Sequence, residues 1–425
     1  MLILSRDSQD CRRKHFTQTL AELAPGAAGA TPRLRLLALL LSMLAGAAHA
    51  GQDDALHPFA ALSYAYEDNL LRVPVGQPAF DNTLGDSIRS AIGGFAFDKD
   101  YGRQHIHADA KLTKVSFDHF SQLNYDGKDL LARWNWQLGN DWSGVASSSY
   151  SQVLAPYTDL YTSEQNLRVQ RQQIGEASWR FLPSWRVRTS VNRNEFSYSL
   201  ASQRFNDRTE TAHEAELDYL ASSGSWIGLV AGHLKGSYEN NRVISNVLID
   251  PSFDQDEVKA SIYWLASGTT QVSFLGGWTK RSHAFFNDRD SKGATGRLTV
   301  NYNPPGTLQY KAAVWREFSA LESNLVSYSL NNGLNLGAIW SLSDKLRANA
   351  SYNRERRHYT PNAGLISTAA LADSLVTSSL GLDYTPRQSL QLSLSGYHQS
   401  RSGVPALGTG TYKANGLTLS ATLQF

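Results

Sequence analysis

The chain has 425 residues, with 40 Lys/Arg, 38 Asp/Glu and a single cysteine, Cys11. Six of the basic and three of the acidic residues stand in the first fifty positions, which leaves 34 against 35 beyond them. That balance excludes the basic footprint of a nucleic-acid binder, and the lack of later cysteines excludes a disulfide framework or thiolate chemistry.

Arg33 and Arg35 precede Leu36 to Leu41, and Ala48-His49-Ala50 closes the segment. A basic region, a short apolar core and an A-x-A site predict a secretory signal peptide over 1–50, with an extended N-terminal leader and cleavage before Gly51. Residues 51–425 then read as one outer-membrane β-barrel. Aromatics reach 11% although mean hydropathy is negative. No apolar run past residue 50 is long enough for a spanning helix, and aromatic girdles at membrane interfaces account for the aromatics.

From His57 onward the pattern is strand, short turn, strand, long loop. Leu62, Tyr64 and Tyr66 alternate with Ser63 and Ala65, and a loop over 67–84 follows. Ile88, Ile92, Gly94 and Ala96 are expected to continue the apolar face. Ile106, Ala108, Ala110 and Leu112 alternate with His107, Asp109 and Lys111. Leu130, Ala132, Trp134, Trp136 and Leu138 alternate with Arg133, Asn135 and Gln137. Such period-two patterns give one apolar and one polar face.

In the middle of the chain, Trp185, Val187 and Val191 oppose Arg186 and Arg188, and Leu217 and Tyr219 oppose Glu214, Glu216 and Asp218. Trp226, Val230, Leu234 and Tyr238 read as the apolar face of the next strand. Later strands carry Val258 to Trp264, Phe274 and Trp278, Leu298 to Tyr302, and Tyr310 to Val314. Asn331-Asn332-Gly333 could be a hairpin turn, but it would leave segments too short to span, so one long strand is expected there. Leu417, Leu419, Ala421, Leu423 and Phe425 occupy every second position of the last strand, and Phe425 is the expected C-terminal insertion signal. The predicted fold is all-β: a transmembrane antiparallel up-and-down β-barrel of about eighteen strands (16–18), with tight periplasmic turns and longer extracellular loops.

Read by alternation, the lumen-lining candidates are Arg89, Asp109, Lys111, Arg133, Arg180, Arg186, Arg188, Arg297, Lys311 and Arg347, joined by Lys259, Glu176, Glu214, Glu216 and Asp218. Such groups fit a solvated lumen, where basic rings favour anionic solutes. Equally, arginines and acids could pair across neighbouring strands and stiffen the wall. No nucleophile elbow, zinc-protease, Walker or dinucleotide fingerprint is present, so no enzyme, cofactor or catalytic site is expected. His105 and His107 share a face but read as ordinary lumen histidines, not a metal site.

H-P-F-A-A-L-S-Y-A-Y-E-D-N-L-L-R (57–72), D-K-D-Y-G-R-Q-H-I-H-A-D-A-K-L (98–112), F-D-H-F-S-Q-L-N-Y-D-G (117–127) and W-N-W-Q-L-G (134–139) carry a family resemblance. They are similar to the EpsL-type outer-membrane β-barrel porins associated with exopolysaccharide gene clusters and exosortase systems, over about 57–157. The resemblance implies a role in exporting exopolysaccharide, of the biofilm kind, across the outer membrane of a Gram-negative bacterium. It implies as partners the glycan and its periplasmic export and polymerisation proteins, beside outer-membrane lipid and the barrel-assembly machinery, and no nucleic acid. It brings no catalytic residues. A general diffusion porin for small polar solutes would read almost identically from sequence, and a structural barrel of a secretion assembly is a further alternative.

Overall fold

The computed structural model describes residues 55–244, 247–283, 290–320, 328–359, 371–405 and 409–425. The signal peptide expected over 1–50 lies outside the described residues. Twenty strands follow in order: β1 (Leu56–Glu67), β2 (Asp86–Tyr101), β3 (Gln104–Phe117), β4 (Tyr125–Leu138), β5 (Trp142–Leu154), β6 (Leu167–Leu182), β7 (Trp185–Tyr198), β8 (Arg208–Leu220), β9 (Trp226–Tyr238), β10 (Arg242–Ile244), β11 (Val247–Ile249), β12 (Phe253–Ser267), β13 (Thr270–His283), β14 (Ser291–Tyr302), β15 (Leu308–Ala320), β16 (Tyr328–Ser341), β17 (Leu346–Tyr359), β18 (Ala372–Arg387), β19 (Leu390–Ser402) and β20 (Tyr412–Gln424).

All but β10 and β11 form one 18-stranded antiparallel sheet in which each strand pairs with its neighbours in sequence. β10 and β11 make a small hairpin inside the loop that joins β9 to β12. The sheet closes where β1 pairs with β20, Ser63 opposite Ser420, and the Phe425 N–H donates to the Pro58 carbonyl at 2.9 Å. Closure removes the free edges that an open sheet would expose, so every spanning strand is satisfied on both sides.

Directly paired residues share a face, so register fixes the side on which each side chain stands. Trp134 lies opposite Ile106 and Ala146, and Arg133 opposite His107 and Ser147. The outward face carries Leu62, Leu112, Leu130, Leu217, Leu229, Leu380 and Leu419, all exposed. Water would tolerate so broad an apolar belt poorly; bilayer hydrocarbon suits it. β16 runs through Asn331-Asn332-Gly333 without a turn, as one long strand should.

The short turns all lie at one end of the barrel, beside the start of β1 and the end of β20. Gly102 (φ 63°) and Gly139 (φ 62°) sit in two of them, in the left-handed region that tight hairpins require. An outward aromatic row marks the same end. Trp142 stacks on Trp179 at 5.2 Å, Trp185 meets Tyr219 edge-on at 5.4 Å, and Tyr302 stacks on Tyr310 at 6.2 Å. This row is the girdle of the periplasmic interface.

Two strands depart from the expected facing. In β2, Ile88 is opposite Ala65 and Ile92 opposite Ala61, so Ile88, Ile92, Gly94 and Ala96 face the lumen. In β9, Trp226, Val230, Leu234 and Tyr238 also face inward, while Ile227, Leu229 and Ala231 meet lipid. Both strands are apolar on two sides, so alternation alone does not choose the face. The choice comes from what lies inside: loop side chains cover Ile88, and Arg186 packs over the Trp226 ring at 5.1 Å.

Candidate functional site

The inner wall and the extracellular mouth hold the polar groups that a solute would meet. On the wall, Asp109, Lys111, Arg133, Arg186, Arg188, Arg297 and Lys311 share the lumen face. Arg180 and Arg347 stand exposed near the periplasmic turns. Arg89 does not line the lumen. It is opposite Tyr64 and Ser116 on the outer face and pairs with Asp118 at 2.5 Å. The inverted facing of β2 carries Arg89 outward with it.

Most of the inward charges are matched within the wall. Asp218 accepts from Arg186 (2.8 Å) and Arg188 (3.0 Å), and Glu216 takes Arg188 at 2.9 Å. Lys111 pairs with Asp129 at 3.2 Å, Arg297 with Glu317 at 2.8 Å, and Lys259 with Glu257. Arg297 also lies over the Trp315 ring at 4.6 Å. The rings of available positive charge do not form at these residues; ion pairs between neighbouring strands, and within β12 for Lys259, take their place. His105 and His107 are tied to Asp100 (2.9 Å) and Asp109 (2.7 Å).

From β17 round to β1 the lumen face is different. Ser351 meets Ser379 Oγ to Oγ at 2.7 Å, and Ser395, Thr418 and Ala65 form one cross-strand row. Ser393, Ser420 and Ser63 form the next, where Ser393 donates to Asp383 at 2.6 Å. At mid-height this is a wall of short hydroxyls offering donors and acceptors around Asp383, with the charged Glu355, Arg357, Asp373 and Arg401 gathered above it at the mouth.

The mouth contains an element that strand periodicity does not reveal. Three loops (residues 68–85, 118–124 and 155–166) fold over the ends of β1 to β6. Leu70, Leu71 and Val73 of the first, Phe120 and Leu123 of the second and Tyr157 of the third bury against Ile88, Val115 and Phe117. Each such side chain contributes roughly 1.5–3 kcal/mol on full burial. Arg72 anchors the first loop, bonding to Glu67 (2.7 Å), Tyr397 (2.9 Å) and Gln399 (3.0 Å). Tyr161 donates to the Pro78 carbonyl at 2.9 Å and packs on Phe80 at 4.8 Å, which ties the third loop to the first.

The third loop then reaches across the bore. It leaves β5 and enters β6, yet Asp159 pairs with Arg357 of β17 (3.0 Å) and Arg401 of β19 (2.8 Å). Eight strands separate β6 from β17 whichever way the wall is followed, so this contact spans the diameter. Arg401 is fully buried and also bonds Asp373, Tyr359 and the Thr158 carbonyl. Arg357 also bonds Glu355 at 3.0 Å. Burial alone would raise the Asp159 carboxyl, but Arg357 and then Arg401 outweigh it and hold the group below the usual carboxylate range. A polar cavity of about 170 Å³ lies beside the contact, lined by Pro156, Asp159, Asn331, Glu355 and Arg357.

Among the described residues no group of His, Cys, Asp and Glu is placed to hold a metal ion. The closed sheet, the apolar belt and the polar interior make the molecule an outer-membrane β-barrel, with its short turns periplasmic and its long loops extracellular.

No protein-family model and no curated protein matches this chain. Among solved structures it is similar to Pseudomonas aeruginosa OpdK crystallised with vanillate, at 11% identity and TM-score 0.45, covering 87% of this chain and 99% of that one. It is also similar to Acinetobacter baumannii OccAB4, at 11% identity and TM-score 0.45 over 88% and 99%. The siderophore receptor PirA from Pseudomonas aeruginosa overlaps at 13% identity and TM-score 0.41, over 88% and 81%. These are loose overlaps, and the barrel is established by its own strand pairing.

Proposed function

We propose that the barrel provides the outer-membrane passage for an exopolysaccharide, which moves along a hydroxyl-lined wall without covalent chemistry. The observation that carries this reading is the β17-to-β1 face, where Ser351, Ser379, Ser393, Ser395, Thr418 and Ser420 present exchangeable hydrogen bonds to a hydroxyl-rich chain. Paired charges elsewhere on the wall leave little net field to hold a glycan in place. The resemblance of residues 57–157 to EpsL-type barrels points the same way. Deleting the gene should trap polysaccharide in the periplasm, as measured by glycan recovered from the periplasmic and surface fractions.

A second reading, a general diffusion porin, is favoured by the loop that Asp159 holds across the mouth, since a constricted mouth suits small polar solutes. Normal surface glycan in the deletion strain, together with slowed uptake of small nutrients, would select the porin.

A further inference from the structure

We propose that the outer face of β13 to β17, at its extracellular rim, is a binding site for the phosphorylated head group of an outer-leaflet glycolipid. Lys280 and Lys292 stand directly opposite each other on the lipid-facing side. Arg316, Asn332 and Arg356 form a second cross-strand row on the same face, meeting β14 at Gly296, four residues along from Lys292, and Arg354 lies beside it on β17. All five basic side chains are exposed, and none makes an ion pair among the described residues. Like charges placed opposite each other on a sheet repel, so the Lys280–Lys292 pair is unfavourable until an anion lies between them.

Elsewhere on the rim several basic residues have a carboxylate beside them. On the other side of the barrel Lys114 pairs with Asp126 at 3.5 Å, and Arg193 with Glu195 at 2.8 Å. Asp256, opposite Lys280 on its other flank, is held by His233 at 2.8 Å. Arg316 fixes its guanidinium by donating to the Ala294 carbonyl (3.1 Å) and Asn332 (3.3 Å), which leaves further N–H groups for an oxyanion.

Height in the membrane identifies the source of the anion. Lys292 stands about ten residues above the girdle residue Tyr302, Lys280 about ten above Thr270, and Arg356 about ten above Leu346. With a rise of about 3.4 Å per residue and a tilt of about 40°, each lies roughly 25 Å from the periplasmic interface, the height of the apolar band. The basic row therefore meets the outer leaflet at its head groups, where arginine and lysine bind phosphate by charge-assisted hydrogen bonds.

The test uses the folded barrel in detergent, a bisphosphorylated lipid A-type glycolipid as probe, and native mass spectrometry to measure retained lipid. A Lys280→Gln/Lys292→Gln/Arg316→Gln/Arg356→Gln variant should lose about tenfold or more of the retained lipid. A Lys114→Gln/Lys128→Gln control should stay within about twofold. The dephosphorylated glycolipid should bind the unmodified barrel as poorly as the intact lipid binds the patch variant, an arm that holds even if the variant misfolds. Equal retention by patch variant and unmodified barrel, equal loss in the control, or displacement of the lipid by millimolar inorganic phosphate would overturn the proposal. None of these outcomes depends on what the lumen carries.

Discussion

The inner wall at β7–β8 and the outer rim at β13–β17 treat the same residue type in opposite ways. Inside, Arg186 and Arg188 converge on Asp218, whose side chain is wholly buried, with Glu216 beside it. Outside, Arg316, Arg354 and Arg356 make no ion pair among the described residues. A guanidinium enclosed by protein must be neutralised by the protein. One at the membrane surface can be matched from the membrane. Lumen charge here is therefore mostly structural, and rim charge is available for recognition.

Removing the shared acid breaks the inner arrangement most severely. Asp218→Ala leaves the buried Arg188 and the half-buried Arg186 short of their counter-ion, at a cost of roughly 3–5 kcal/mol. Outer-membrane yield and heat-modifiable gel mobility should both fall, whereas Arg316→Gln on the rim should leave them unchanged. The consequence extends to Arg186, Arg188 and Arg297: charge reversal at these positions should lower barrel abundance as well as transport.

The lipid belt gives the next largest effect. Trp134 is exposed on the outer face, where its indole N–H donates to Gln104 at 3.0 Å. Trp134→Arg should cost up to about 2–4 kcal/mol near the bilayer midplane, read as a lower urea midpoint in vesicles. The same change at the rim, for instance Asn332→Arg, should cost little.

How far these differences were legible depends on the residue. β4 is transparent because its aromatic and ionised residues never share a side, as Trp134 and Arg133 show. The eighteen strands, the turns and the closing strand follow from such alternation. β2 and β9 were not legible, since Ile88 and Trp226 are apolar residues whose inward facing depends on groups distant in sequence. The contact of Asp159 with Arg357 joins residues 198 positions apart, and no local pattern encodes it. Its only trace is apolar side chains inside long loops, such as Leu70, Leu71 and Tyr157, which a purely solvated loop would not need. Register and burial supplied the rest.

The mouth tests whether enclosed charge can also be conditional. Asp159→Ala should release the third loop from β17 and β19 while the closed sheet stays intact, at a local cost of up to about 3 kcal/mol. Planar-bilayer conductance should rise and urea stability should change little. The docked carboxyl titrates below its undocked value, so it favours docking at any pH above about 4. That contribution fades only as pH falls through the lower, docked value. Conductance of the unmodified barrel should therefore be flat through neutrality and increase only in strong acid. An opening near pH 6 would place the control elsewhere.

The smallest effect belongs to Arg133, which completes the comparison from inside. It faces the lumen between His107 and Ser147, but its guanidinium bonds only the Asn135 amide, at 3.0 Å, and no carboxylate among the described residues pairs with it. It is thus an inner residue with the electrostatics of the rim. Arg133→Gln keeps a donor for Asn135 and removes a half-solvated charge, so stability should move by no more than about 0.5 kcal/mol. Ion selectivity should shift toward cations, read as a change in reversal potential across a salt gradient. A large loss of stability would mean that Arg133 belongs with Arg186 and Arg188 after all, and that the division between structural and available charge does not hold within the lumen.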